Sequence, residues 1–462
     1  MILKACILIL VLLCIRGNDE EEEDLFSNKK IAFLFVSKGA LPLEDIWREF
    51  FRWRAKPNQY SIYVHTHPDY HFPPTSFFHG KDIKKKEHVR WGGMSQVKAI
   101  YNLVEAALED EENEYFCLMS ETCIPLVPLP KWRRVMLAEN RSIINACPMS
   151  LGEMEISRWH KDLDNTPMKQ EYWRKSGTWF ALHRRHAKVF VNDRNLNYDN
   201  WDRVNFLDEH FLPSLLAFYH LDNETTCTDG FVHVQWPSVI MTSHPKTYTM
   251  DDITTELFAY LEKPVGDHPG FNMQCSGFAE ICHFTARKFS PHTKYALLSN
   301  LDLLLSDGDV TYTGNPWHHH FDKLRFLDDD ATRQYLYLID NGVLRKIPDT
   351  RTMELLHLPV NASNIHTIPI ISTDEKTLYP IGAPFLSLQD GKAIKLKKNP
   401  TVWYIQDGKR HQIPDWDTFL AMNLAHQTIE IVSEADMEQI HIGSILPSIH
   451  YSQQDHHDHH LV

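Results

Sequence analysis

Ile31-Ala-Phe-Leu-Phe-Val36, held between Lys30 and Gly39, is a continuous apolar run without alternation. That is the pattern of a strand buried on both faces of a parallel sheet. Glu44 to Arg54 follows with Ile46, Phe50 and Phe51 at helical spacing, and Pro57 closes it. Tyr60-Ser-Ile-Tyr-Val-His65 is a second strand, halted at Pro68. His88 to Trp91 reads as a third, short strand. Ser95 to Leu108 reads as an amphipathic helix with Val97, Ile100, Tyr101, Val104 and Leu108 on one side. Tyr115-Phe-Cys-Leu-Met119 is the next strand. This alternation predicts an α/β sheet with right-handed crossovers. A ligand crevice then lies beyond the strands' carboxyl ends, near His65 to His67 and Ser120 to Cys123.

The whole chain has 462 residues, more than one hydrophobic core usually holds, so two or three domains are expected. It is 43% hydrophobic and 23% charged, which excludes wholesale disorder. Lys and Arg total 47 against 61 for Asp and Glu, a net charge of −14, so a general nucleic-acid coat is excluded. An anionic substrate must be met by a few local cations. No Walker-type loop or Gly-x-Gly-x-x-Gly fingerprint follows the first strand, so a nucleotide would be held by side chains.

Ala5 to Ile15 is an apolar run after Lys4, stopped by Arg16 and Gly17. Residues 1–17 therefore read as a signal peptide or, failing cleavage, a short signal-anchor that tethers the body to a membrane. Residues 18–28 form an acidic spacer. Six cysteines remain in the body: Cys117, Cys123, Cys147, Cys227, Cys275 and Cys282. Cys275 and Cys282 are near enough in sequence to suggest a local pair; free buried cysteines are the alternative. Asn140, Asn223 and Asn361 open N-glycosylation sequons.

From about residue 331 the texture changes. Tyr337-Leu-Ile-Asp-Asn-Gly342 leads through Ile347-Pro-Asp349 to Thr352 and Met353. Trp403-Tyr-Ile-Gln-Asp-Gly408 leads likewise through Ile413-Pro-Asp415 to Thr418 and Phe419. Each copy reads as strand, hairpin turn, strand, then a helix opened at Pro-Asp, with Ile381-Gly382 and Ile442-Gly443 at the far ends. Turn, core and cap roles explain the repeated positions; glycan or surface binding is the other reading. Residues 306–330 then form a linker, 331–450 the two-copy module and 451–462 a His-rich tail.

Phe206-Leu-Asp-Glu-His-Phe-Leu-Pro213 sets two carboxylates and a histidine among apolar residues. One carboxylate, partly desolvated, can take a proton from a sugar hydroxyl, and Glu209 is the candidate base, with Asp208 as cap or support. Helix capping is the plainer alternative. Thr285-Ala-Arg-Lys-Phe-Ser290 sets Arg287 and Lys288 between aromatic residues, a pair able to neutralise a diphosphate without a metal. Trp173, Lys175, Thr178 and Trp179 suit a sugar-lined wall or an ordinary strand and turn. Glu121 follows a strand end, where its side chain can reach the crevice. Metal ligation reads weakly. The Asp-x-Asp pairs at Asp162, Asp307, Asp328 and Asp415 do not follow an early strand, and His318 to His320 and the tail have no evident scaffold.

Six stretches in order resemble the core-2/I-branching glycosyltransferases, nearest to the plant-type members and more distantly the peptide O-xylosyltransferases. They are Lys30-Ile-Ala-Phe-Leu-Phe, Tyr60-Ser-Ile-Tyr-Val-His-Thr, Val89-Arg-Trp-Gly-Gly-Met-Ser, Leu118-Met-Ser-Glu-Thr-Cys-Ile-Pro-Leu, Asp208-Glu-His-Phe-Leu-Pro and Ala286-Arg-Lys-Phe-Ser-Pro. The likeness implies a GT-A-like domain over residues 29–305, a mixed sheet flanked by helices, with an α+β repeat module of hairpin–helix units after it. It also implies a UDP-sugar donor, inversion, and no divalent metal or other cofactor. By the same likeness Glu209 is the catalytic base and Arg287 and Lys288 bind the diphosphate. The uridine side takes in His65, Trp91, Gly92 and Ser95, and Ser120 and Glu121 lie beneath the sugar. Lys175, Trp179 and Trp236 would face the acceptor. Lys175-Ser176-Gly177 departs from the family's Lys-Gly-Ser order, the usual long stem is missing, and residues 331–462 fall outside the family pattern. They resemble Tyr-Leu-Ile-x-Asn-Gly repeats of some bacterial secreted proteins.

The expectation is thus an inverting transferase in the Golgi lumen or membrane, or secreted. It would move N-acetylglucosamine, or second xylose, from UDP to a glycan or glycoprotein hydroxyl. The rivals are a non-catalytic glycan-binding protein and a glycoside hydrolase built on Asp208, Glu209 and Glu121.

Overall fold

The computed structural model describes residues 26, 28–193, 198–236, 244–261, 275–306, 312–314, 320, 322–327, 335–340, 342–356, 358, 360–387, 389–438 and 440–449. The N-terminal apolar run, nearly all of the acidic spacer, most of 306–330 and the His-rich tail lie outside them. The chain divides into two compact units: Met1–Thr247 with Thr254–Gly314, and Tyr248–Ile253 with Asn315–Val462.

The strands of the first unit are β1 (Lys30–Val36), β2 (Tyr60–His65), β3 (Asn113–Ser120), β4 (Ile124–Pro125), β5 (Ala181–His183), β6 (Val232–Val234) and β7 (Thr285–Arg287). The main sheet has the order β2-β1-β3-β5, parallel except for β5. Alternate residues of β1 face opposite layers, as the period of two requires. Phe33 and Phe35 meet Trp47 of helix Glu44–Arg52, and Phe33 also meets Trp132 of helix Leu129–Ala138. Ala32 and Leu34 belong to a second cluster with Val97, Ile100 and Val104 of helix Met94–Leu108 and with helix Phe211–Phe218. Burying each large side chain contributes about 1.5–3 kcal/mol, so β1 is the axis of the unit.

Register carries this core to the site. Val36 pairs with both His65 and Ser120, so the three parallel strands end level with one another. Trp47 donates its indole N–H to the Cys123 carbonyl at 3.0 Å, tying the turn after β3 to the core. From that turn β4 leads into a second sheet, β4-β7-β6, in which β7 runs antiparallel to β4 and parallel to β6. Phe289 N donates to Thr122 O at 3.0 Å. Arg287 and Lys288 are thereby delivered beside the end of β3.

No strand forms at His88–Trp91. The Arg90 amide donates to Ser95 Oγ and the Gly92 amide to Gln96 Oε1, so these groups serve the start of helix Met94–Leu108 instead of a sheet. Gly92 has φ +69°, and a Cβ there would lie 3.5 Å from Phe206 Cα.

In the second unit, strands β8 (Leu324–Phe326), β9 (Leu336–Asp340) and β10 (Val343–Lys346) form one antiparallel sheet. Strands β11 (Ala393–Leu396), β12 (Trp403–Gln406), β13 (Lys409–Gln412) and β14 (Glu430–Val432) form another, of order β13-β12-β11-β14. After the β9–β10 hairpin, the Asp349 carboxylate caps helix Thr350–Leu355 by accepting Thr352 N at 2.7 Å. After β12–β13, Asp415 caps helix Trp416–Ala421 by accepting Thr418 N at the same distance.

Candidate active site

Glu209 ends a single 3₁₀ turn, Leu207–Glu209, entered through Phe206 in the left-handed region at φ +52°. The turn is pinned to the glycine loop: Leu207 N donates to Gly92 O at 3.0 Å, and Gln96 Nε2 donates to Asp208 Oδ2 at 3.0 Å. Thr178 Oγ1 also donates to Asp208 Oδ2, at 2.6 Å. Asp208 therefore braces three segments and does not cap its own helix. Burial raises its pKa, against the pull of the Thr178 hydrogen bond.

Glu209 remains 28% exposed and sits among cations. Arg158 Nη1 donates to its Oε2 at 2.6 Å, and Lys175 Nζ stands 4.0 Å away. Both cations are also paired with Glu155, so two carboxylates share two cations. Burial still raises the Glu209 pKa above the usual glutamate value, with Lys175 and Arg158 opposing it. The pairing therefore does not remove its affinity for a proton. His210 lies beside it, stacked on Trp173 with ring centroids 4.3 Å apart. Its Nδ1 is 2.8 Å from the Arg174 carbonyl, which can only accept, so Nδ1 carries the hydrogen and Nε2 faces Arg158 at 3.4 Å. Burial lowers the His210 pKa to about 4, leaving it neutral.

Arg287 lies over the Trp179 ring, Cζ 4.6 Å from its centroid. Its Nε is buried without a hydrogen-bond partner among the described residues. Burial lowers the pKa of Arg287 and Lys288; Arg287 depresses Lys288 further, and Glu121 acts on both in the opposite sense. One continuous path joins the halves of the site: Arg287 on Trp179, then Thr178 on Asp208, next to Glu209.

The other sequence candidates lie in the same compact unit. Ser120 is buried at the end of β3, its Oγ 2.9 Å from Thr122 Oγ1. His65 is buried; its Nε2 accepts the Glu87 amide at 2.8 Å, and burial lowers its pKa to about 4. It thus fastens the loop that leads to Trp91. Trp91 is exposed, against Phe206 and His244, and Ser95 secures the turn below it. Lys175 stands next to Glu209, and Trp179 lies under Arg287. Trp236 is exposed just beyond β6. Disulfides join Cys147 to Cys227 and Cys275 to Cys282, whereas Cys117 and Cys123 are free and buried. Sequence reasoning missed Arg158, Glu155 and Gln96, which act through contacts 51, 20 and 112 residues apart in the chain. Gln96 does sit in the first turn of a helix opened by Gly-Gly, where an inward polar side chain stands out. Nothing local marks the other two.

The sequence profile of the core-2/I-branching enzymes matches residues 31–262. The chain belongs to that family. It is similar to glycosyltransferase BC10 of rice, Oryza sativa subsp. japonica, with 28% identity over 340 residues, which cover 64% of this chain and 82% of the rice protein. This core-2/I-branching enzyme is a glycosyltransferase, and its mixed parallel and antiparallel α/β architecture fits a GT-A-like fold. A nucleotide-sugar donor and a glycan acceptor follow in general terms. The two disulfides fit a protein of the secretory pathway. Among the described residues no helix is long and apolar enough to cross a membrane, and no group of three or more His, Cys, Asp or Glu side chains is placed to hold a metal ion.

Proposed function

We propose that this enzyme transfers a sugar with inversion from a UDP-sugar, N-acetylglucosamine first and xylose second, to a hydroxyl of a glycan or glycoprotein, using cationic side chains where other transferases use a metal. Glu209 takes the acceptor's proton as its oxygen attacks the anomeric carbon, and a base of this kind contributes about 10²–10⁴ in rate. Arg287 and Lys288 offset the charge that grows on departing UDP. Glu121 and Ser120 flank the sugar, and His65, Trp91, Gly92 and Ser95 shape the uridine side. Lys175 holds the acceptor side through its contact with Glu209 and Glu155, with Trp236 at the rim and Trp179 linking both sides.

The observation that carries this reading is the path from Arg287 through Trp179 and Thr178 to Asp208 and Glu209. Through two consecutive residues it links a cation whose Nε lacks a hydrogen-bond partner among the described residues to the turn that carries a carboxylate of raised proton affinity. A hydrolase has no use for such a cation pair. The enzyme acts in the secretory lumen, in the Golgi or after secretion, held by its N-terminal segment or released from it. The two hairpin–helix units with matching Asp caps form a repeated accessory module. The test is UDP release by the purified full-length chain across a panel of UDP-sugars with a glycan acceptor and excess chelator. Turnover with chelator present supports the reading, and turnover that requires an added divalent ion rejects it.

A further inference from the structure

Two of the three sequons come together in the fold. Ser142 of Asn140-Arg-Ser and Thr225 of Asn223-Glu-Thr form a parallel β-bridge, flanked by Ser142 N to Glu224 O at 3.1 Å and Thr226 N to Ser142 O at 2.9 Å. Each asparagine is two residues from that bridge, and two residues span at most about 7 Å. With the strands about 5 Å apart, the two Cα atoms lie within about 19 Å of each other. Asn140 and Asn223 are both exposed. Their partner hydroxyls are not. Ser142 Oγ lies 2.6 Å from His186 Nδ1 and accepts the His183 amide at 2.8 Å, and Thr225 Oγ1 donates to Asp222 O at 2.7 Å. Both residues are buried. The Cys147–Cys227 disulfide closes the same region, two residues past Thr225.

The third sequon differs. Asn361 and Ser363 are both exposed, and Asn361 Oδ1 accepts the Ser363 amide at 2.9 Å in a local turn that involves no distant segment.

We infer that Asn140 and Asn223 carry a neighbouring pair of N-linked glycans that must be attached before this part of the fold closes, whereas Asn361 is open to modification in the folded chain. The reason is that a sequon is read through its hydroxyl as well as its asparagine, and here the hydroxyls become locked. The chemistry is transfer from a polyprenyl-pyrophosphate oligosaccharide. The asparagine amide nitrogen bonds to the anomeric carbon and passes one proton to a base of the oligosaccharyltransferase. The carbon–oxygen bond to pyrophosphate breaks, and the lipid pyrophosphate leaves with the electron pair. The inference rests on the passage through the secretory lumen proposed above.

Full-length protein secreted by a eukaryotic host is digested with peptide N-glycosidase in ¹⁸O-water, and its peptides and disulfides are mapped by mass spectrometry. Labelled aspartate is expected at positions 140, 223 and 361, and N140Q and N223Q each remove one glycan. Unglycosylated chain folded with both disulfides and offered to purified oligosaccharyltransferase and lipid-linked donor should be modified at Asn361 but not detectably at Asn140 or Asn223. Peptides of residues 137–144 and 220–227 should both be modified. Absence of label at 140 and 223 in disulfide-bonded secreted protein, or modification of the folded chain there as readily as of the peptides, overturns the inference. Absence of both disulfides and glycans instead overturns the lumenal reading beneath it.

Discussion

Replacing Arg287 by Met keeps the aliphatic stem on Trp179 but removes the cation. The guanidinium lies 4.6 Å from the Trp179 ring in a partly buried position, and its Nε lacks a partner among the described residues. A phosphate charge about 4 Å away, at the effective dielectric of about 20 that suits such sites, interacts by about 4 kcal/mol. Lys288 is next in the chain and retains part of that stabilisation. The net loss in the transition state is then about 2.7–4 kcal/mol, or about 10²–10³ in kcat. Coupled detection of UDP under saturating donor reads this number, and thermal unfolding confirms that R287M is folded. Turnover of folded R287M within about threefold of the parent would refute the reasoning, because a cation that stabilises the leaving group cannot be lost at so small a cost.

Further outcomes follow from neighbouring contacts. A base must be ionised to take a proton, and burial raises the Glu209 pKa, so under the proposed role kcat/KM should fall as pH drops, with the midpoint above the ordinary glutamate range. Arg158 opposes that rise, so R158M should move the acid limb to still higher pH in a pH–rate profile. Thr178→Val removes a hydrogen bond to a partly buried carboxylate and should cost about 1.5–3 kcal/mol in denaturant unfolding. Gly92→Ala forces a side chain into positive φ against Phe206 and should destabilise by more than about 1 kcal/mol while lowering kcat.

The long apolar strands were legible in the sequence because burial on both faces leaves a run that no helix or loop shares, and β1, β2 and β3 end where their carboxyl-end residues point to a crevice. The second sheet was not. β6 and β7 have three residues each and β4 two, too few to show a period. The segment His88–Trp91 misled because Val89 and Trp91 look like strand residues, yet both are exposed and the Arg90 amide is committed to Ser95. Glu209 and the Arg287–Lys288 pair stood out as charges set among aromatic and apolar neighbours. Their surroundings did not, since Arg158, Glu155 and Gln96 reach the site only through the fold. The Cys147–Cys227 bond, across 80 residues, was equally beyond spacing arguments.

Glu209→Gln is the sharpest probe of the chemistry. The amide keeps the shape, Glu155 still pairs with Arg158 and Lys175, and removing a carboxylate whose pKa burial raises should leave thermal stability equal or higher. UDP release in the presence of acceptor should fall by about 10²–10⁴, while UDP binding measured by calorimetry stays unchanged. A stable E209Q enzyme that still turns over at nearly the parental rate would contradict the account.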